Sequence, residues 1–298
     1  MTTKLFFVVL CLCGSVPLAA ADKEEASNPP INIQAIKQHY QDALAAYARG
    51  DYRGAIIKWS AILREDPEQT SAHSMILDAR AQIARLTRKR RQRAAGYIAA
   101  GQYRKALLEM QVLLDQDPGD PQLEMLQSRL QRVLAIAPRL PAKTKASRVA
   151  TLGLQGYLTL PPDLKLAHNG LRYACELAPD AAIYKETLGL LLTDYPALTR
   201  EDGVTPGMKL LEYKRFVALH QIYDAKYHLA VGTLNEILML EPQDLLTLKR
   251  IGSAYYSLGR REEAREAWTT ALKLAPKDKT LQRFLAKLKK YKKDASRP

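Results

Sequence analysis

Apolar residues recur along this chain at the spacing of a helix face. Ala72, Ile76, Ala79, Ile83 and Leu86 follow one another at steps of four, three, four and three, which predicts one amphipathic seam. Leu123, Leu126, Leu130 and Val133 repeat the pattern further on. Near the end, Leu281, Phe284, Leu285 and Leu288 form a stripe surrounded by Lys287, Lys289, Lys290, Lys292 and Lys293. That is a helix with one face for a core and one for water. Breaks fall between these segments. Residues 138–147, opening Pro138-Arg139-Leu140-Pro141, read as a linker. Residues 194–207 hold Pro196, Gly203, Pro206 and Gly207 and read as a loop, with Thr205-Pro206 starting the next helix.

A second regularity lies over the first. An Ala is followed twelve residues later by Pro five times: Ala55/Pro67, Ala106/Pro118, Ala167/Pro179, Ala230/Pro242 and Ala264/Pro276. One turn after each Ala stands a large residue, namely Trp59, Met110, Leu171, Leu234 and Trp268. Gly50, Gly101 and Gly259 precede three of these Ala residues by five positions, and Ala225 holds that place in a fourth. The physical reading is helix, tight turn, helix, stop. Gly closes the first helix in the left-handed conformation, the small Ala admits a neighbouring helix, the large residue fills the remaining space, and Pro ends the second helix.

On these residues the chain resembles the tetratricopeptide (TPR) repeat. The clearest unit holds Leu248, Ile251-Gly252, Tyr255, Gly259, Ala264, Trp268, Ala271 and Pro276, with Asp244 or a neighbour capping its first helix. Units around Gly101 and Gly50 follow the same pattern, whereas Pro161-Pro162 replaces the turn Gly before Ala167. Ile183–Tyr195 looks like a partial unit without a second helix. The five prolines lie 51, 61, 63 and 34 residues apart, so a plain tandem array of about 34 residues per repeat is excluded and helices are added or lengthened. The resemblance implies an all-α fold, a right-handed α-solenoid of irregularly spaced helix pairs with a C-terminal capping helix. The expected division is 22–34 as a flexible segment, 35–137 and 148–293 as repeat regions joined by the linker, and 294–298 as a tail. It also implies that first helices line a partner-binding groove, with Tyr40, Tyr47, Arg88, Arg91, Arg215, Lys249 and Tyr256 facing it. Chaperone-binding members place Lys and then Asn, one turn later, on that face. Here the later residues are Leu44, Ala95, Leu219 and Ser253, so that clamp is missing.

Residues 1–21 read as a bacterial secretory signal: Lys4, the apolar run from Leu5, and Ala19-Ala20-Ala21 before Asp22. The run from Leu5 to Leu18 is 14 residues, short of the roughly 20 that span a bilayer. Leu12 before Cys13 departs from a lipoprotein signal, so a periplasmic or secreted protein is expected, with lipidation disfavoured. Cleavage would leave Cys175 as the one cysteine, which excludes an internal disulfide. Composition and charge then narrow the chemistry. The 298 residues are 47% hydrophobic and carry a net charge of +14, which fits a folded protein with an acidic partner or an anionic surface. From Ala79 to Leu108 stand nine basic residues and no acid, and between Glu124 and Asp163 there is again no acid.

No phosphate-binding glycine loop, nucleophile elbow or helical His pair occurs. Gly153-Leu154-Gln155-Gly156 is too short for a dinucleotide signature, and Asp115/Asp117 reads as capping or solvated charge. No catalytic, cofactor or metal residues are assigned. The sequence therefore points to a non-enzymatic adaptor that holds a protein, through an acidic or amphipathic segment, in the cell envelope. Secretion, pilus, polysaccharide or cytochrome assembly are the processes exported proteins of this kind serve. A polyanion binder, taking a glycan or an anionic lipid surface, is the alternative. Nucleic acid is the least expected ligand.

Overall fold

The computed structural model describes residues 32–140, 144–200 and 207–295, with side chains up to 288. The signal segment, most of 22–34, part of the expected linker and loop, and most of the tail lie outside the described residues. Thirteen α-helices and one short 3-10 turn make up the described chain, without a strand among them. They are α1 (Ile33–Ala48), α2 (Tyr52–Glu65), α3 (Thr70–Ala99), α4 (Tyr103–Gln116), α5 (Pro121–Ile136), α6 (Lys145–Tyr157) and α7 (Leu164–Leu177). α8 (Ala182–Asp194), the turn Pro196–Thr199, α9 (Leu210–Tyr223), α10 (Tyr227–Leu240), α11 (Leu245–Ser257), α12 (Arg261–Leu274) and α13 (Lys279–Ala295) complete it. The fold class is all-α, built from sequential helix pairs.

The Ala–Pro pattern lands on the second helix of five pairs: α2, α4, α7, α10 and α12. Ala55, Ala106, Ala167, Ala230 and Ala264 are fully buried, as are Trp59, Leu171 and Leu234, with Met110 and Trp268 nearly so. Gly50, Gly101 and Gly259 sit at φ of +81°, +68° and +75°. Ala225 takes the same conformation, at φ +56°, without the glycine that makes it free of strain.

The described residues divide into two compact units, one up to Ile83 and one from Ala84. The division falls inside α3, because the expected seam from Ala72 and the first helix of the Gly101 unit are one 30-residue helix. Its residues Ala72, Ile76 and Ala79 belong to the core of the first unit, with Ala43, Ala46, Ala55, Trp59 and Ile62. Ala94 and Ile98 belong to the second. The expected linker at 138–147 lies within the second unit. One hydrophobic cluster includes Leu130 and Val133 before it and Ala150 and Leu154 after it, and α6 already begins at Lys145. It is a connection inside one core rather than a boundary.

The pair with the poorest sequence match, α6 and α7, packs backbone against backbone. A Cβ on Gly153 would lie 2.7 Å from the Leu171 amide nitrogen, one on Gly156 would lie 2.8 Å from the Ala167 nitrogen, and one on Gly170 would lie 2.7 Å from Gly153 Cα. Glycines replace the usual small-residue contact, and Pro161-Pro162 turns the chain between the helices. Beyond α7, the Glu176 carboxylate accepts hydrogen bonds from the Leu210 N–H at 3.0 and 3.1 Å and so caps α9 from a neighbouring helix.

A polar device recurs from repeat to repeat. Asp120, Asp244 and Asp278 each stand two residues after a stop Pro and cap the next helix, accepting from the N–H groups of Gln122 and Leu123, of Thr247, and of Thr280 and Leu281. Each also pairs with a cation 29 residues earlier, on the first helix of the preceding pair: Arg91 at 3.1 Å, Arg215, and Lys249 at 2.5 Å. One carboxylate thus ends one repeat and registers it on the last. α13 closes the series, with Leu281 and Leu288 buried and Phe284 against Trp268.

Candidate functional site

In the second unit, α3, α5 and the end of α6 border an open cavity of about 290 Å3. Ala94, Ala95 and Ile98 of α3 form one wall, Leu123 and Leu126 of α5 another, with Met110 from α4 beneath and Leu158 and Leu160 beyond. The polar rim is Arg91, Gln155 and Thr159. Ala94 and Ala95 put only small side chains against the space between these helices. Small-molecule sites run to about 300–1,000 Å3. A cavity at the lower edge of that range, open and apolar, suits one or two side chains of a peptide better than a cofactor.

Arg91 is about half exposed at the mouth of this cavity. Asp120 holds the guanidinium from one side, leaving donors that can face an incoming carboxylate. Behind the cavity a polar network fixes α5. Arg129, almost wholly buried, donates to the Tyr157 carbonyl at 3.3 Å and to the Tyr195 hydroxyl, with its guanidinium 5.2 Å from the Tyr157 ring centre. Arg132 forks onto both oxygens of Asp194 at 2.6 and 2.7 Å, and the Tyr157 hydroxyl donates to Asp194 at 2.6 Å. The Arg132 hydrogen bonds hold the Asp194 carboxyl below its ordinary value, against the upward push of burial, and Tyr157 adds to them. Burial and then Asp194 push the Tyr157 phenol upward. This network ties α5, α6 and α8 together.

The seven residues expected to face a partner have separate places. Arg91 lines the cavity, beside Ala95. Arg88 is exposed one turn earlier on α3, with no ion pair among the described residues. Arg215 and Lys249 hold the inter-repeat aspartates described above. Tyr256 lies beside Trp268, ring centres 5.9 Å apart, with Lys287 over its ring. Tyr40 and Tyr47 belong to the first unit: Tyr47 meets Tyr52 edge to face and donates to the Asp78 carboxylate, and Tyr40 is half-buried. The Asp78 hydrogen bond, with partial burial next, raises the Tyr47 phenol above its ordinary value. The cavity wall of Leu123 and Leu126 was visible in the sequence only as part of a core seam. Both leucines are buried, and that they also border a cavity depends on which helix stands next to them, which periodicity does not encode.

Burial raises the Cys175 thiol above its ordinary value, as expected for a packed residue rather than a nucleophile. Among the described residues no group of His, Cys, Asp and Glu could hold a metal ion, and no helix is long and apolar enough to cross a membrane.

Residues 246–278, spanning α11 and α12, match the family model described as Tetratricopeptide repeat. The chain therefore carries this repeat, at the unit whose residues show it most completely. No curated protein sequence matches. Among solved structures, the TPR2AB-domain of yeast Sti1 in complex with pHSP90 aligns at 14% identity and a TM-score of 0.28, covering 88% of this chain and 85% of that one. The P58(IPK) TPR domain aligns at 14% identity and 0.30, covering 88% and 99%. The MamA protein aligns at 14% identity and 0.17, covering 80% and 91%.

Proposed function

We propose that this chain is a non-enzymatic protein-interaction scaffold of the bacterial cell envelope. Its partner segment seats apolar side chains between α3, α5 and α6 and sets a carboxylate against Arg91. The observation that carries this reading is the open apolar cavity with a half-exposed guanidinium at its mouth, on a scaffold that carries a tetratricopeptide repeat. Apolar floor and charged rim are the usual anatomy of a peptide site. The envelope location rests on Lys4, the apolar run from Leu5 and Ala19-Ala20-Ala21. A scaffold for assembling an envelope complex, in secretion, pilus, polysaccharide or cytochrome assembly, fits that location.

The test compares partner capture from envelope fractions by the native chain and by Ala95→Arg. Ala95 is exposed, so the substitution fills the cavity mouth without entering the core. Loss of a discrete partner from a variant with native circular dichroism supports the groove. Equal capture by both proteins contradicts it. Export is checked separately, by fractionating cells that express the full-length chain.

A further inference from the structure

The two acid-free basic stretches of the sequence fare differently once folded. Between Glu124 and Asp163, Arg129 is buried against Tyr157 and Tyr195, Arg132 is forked onto Asp194, Lys145 reaches Glu241 at 2.5 Å, and Arg148 reaches the Leu240 carbonyl at 3.4 Å. Those four cations serve internal contacts, while Arg139 of the same stretch stays exposed. On α3, Arg90 and Arg93 converge on Glu109 at 3.1 and 3.3 Å, and Arg91 meets Asp120. Arg85, Arg88 and Lys89 are exposed and have no carboxylate partner among the described residues.

These three lie at i, i+3 and i+4 of one helix and so share a face. The stripe rises only about 6 Å from first to last. Leu86 borders it, 38% exposed. We propose that this stripe is a docking surface for an acidic amphipathic protein segment, distinct from the cavity at Ala95. Its carboxylates would pair with the guanidinium forks and the Lys89 ammonium, and an apolar side chain would cover Leu86.

Charge complementarity names an anion, and the surroundings select its class. Single-stranded nucleic acid is held by rings on which its bases stack, and no Phe, Tyr or Trp stands between residues 70 and 96; duplex DNA, which needs only cations, is compared directly in the test below. A lipid surface takes an amphipathic helix by its apolar face, and α3 commits that face to packing, with Ala72, Ala79, Ala94 and Ile98 buried. A narrow line of three cations beside one leucine matches a segment of similar width.

The test is fluorescence anisotropy with the full chain and a labelled helical peptide bearing Glu along one face and Leu beside it. One variant carries Arg85→Glu, Arg88→Glu and Lys89→Glu. A control of equal charge change carries Arg104→Glu, Arg139→Glu and Arg283→Glu, at exposed cations without acidic partners among the described residues. Three exposed ion pairs predict a loss of affinity of about tenfold in the first variant, growing as salt is lowered, and little change in the control. Equal loss in both, or no binding of the peptide at low salt, overturns the proposal. Tighter stripe-dependent binding of phosphatidylglycerol vesicles or duplex DNA than of the peptide overturns the assignment to a protein. The Ala95→Arg variant binds the peptide normally if the two surfaces are independent.

Discussion

The contact between α6 and α7 makes a prediction in which one substitution has opposite signs at two positions. Gly→Ala inside a helix gains about 1 kcal/mol from propensity when nothing opposes it. At Gly189, in the middle of α8, a Cβ would meet nothing within 4 Å, so Gly189→Ala should stabilise the protein by up to that amount. At Gly153 the same Cβ would lie 2.7 Å from the Leu171 nitrogen, 2.9 Å from Leu171 Cγ and 3.1 Å from the Ala167 carbonyl oxygen. The leucine side chain could rotate away, but the two backbone atoms move only if the helices separate. Overpacking costs about 1–3 kcal/mol in cores able to adjust. A clash with backbone belongs at the upper end, so the net effect is a loss of about 1–2 kcal/mol after the propensity gain is subtracted. In a unit of this size that is a fall in Tm of several degrees, at about 2–4 °C per kcal/mol. Urea unfolding followed by far-ultraviolet circular dichroism measures both variants. If Gly153→Ala raises the midpoint as Gly189→Ala does, the helices are not in backbone contact and the packing described for this pair is wrong.

Other expectations follow from single features. Ala225→Gly relieves a left-handed residue costing about 1–2 kcal/mol and gives back about 0.4–1 kcal/mol of unfolded-chain entropy, so a thermal melt should show a gain of a few tenths to 1 kcal/mol. Asp120→Ala and Asp244→Ala each remove a cap and an inter-repeat ion pair; chemical denaturation should show losses near 1 kcal/mol or somewhat more, the Asn variants losing less. Arg132 and then Tyr157 hold Asp194 below the ordinary 3.8, and Lys249 does the same for Asp278. For Asp244, burial pushes upward but Thr247 and Arg215 outweigh it. Folded-state values below the unfolded ones mean that these groups contribute fully above about pH 5 and lose that contribution as pH falls through 3.8 and below. Denaturation midpoints should drop over that window, and Asp194→Asn should flatten the drop.

Much of the architecture was legible because each repeat states its geometry locally. Ala264, Trp268 and Gly259 fix one helix pair from residues within ten positions of one another, and the other pairs repeat the spacing. Asp120 and Asp278 were equally readable, each two residues after a stop Pro as Asp244 is, with a cation 29 residues before. The α6–α7 contact was harder to read, because Gly153, Gly156 and Gly170 act through a partner helix and resemble nothing in the repeat pattern. The fate of the charges was not legible either. Arg129 and Arg88 stand in similar basic stretches, yet α8 and its end bring Asp194 and Tyr195, and α6 the Tyr157 carbonyl, to the α5 arginines, while no described element brings a carboxylate to Arg88. The cavity likewise depends on long-range placement, since Leu123 and Leu126 have the periodicity of a closed core.

The claim that the cavity between α3, α5 and α6 holds a partner is tested most directly by placing a photo-crosslinking amino acid at Ala95 and, separately, at Glu262, which is exposed on α12. Illumination in envelope fractions should yield one discrete protein adduct from position 95 and none from position 262, and Arg91→Glu should diminish it. Adducts of equal yield and identity from both positions, or an adduct at position 95 indifferent to Arg91, would contradict the account.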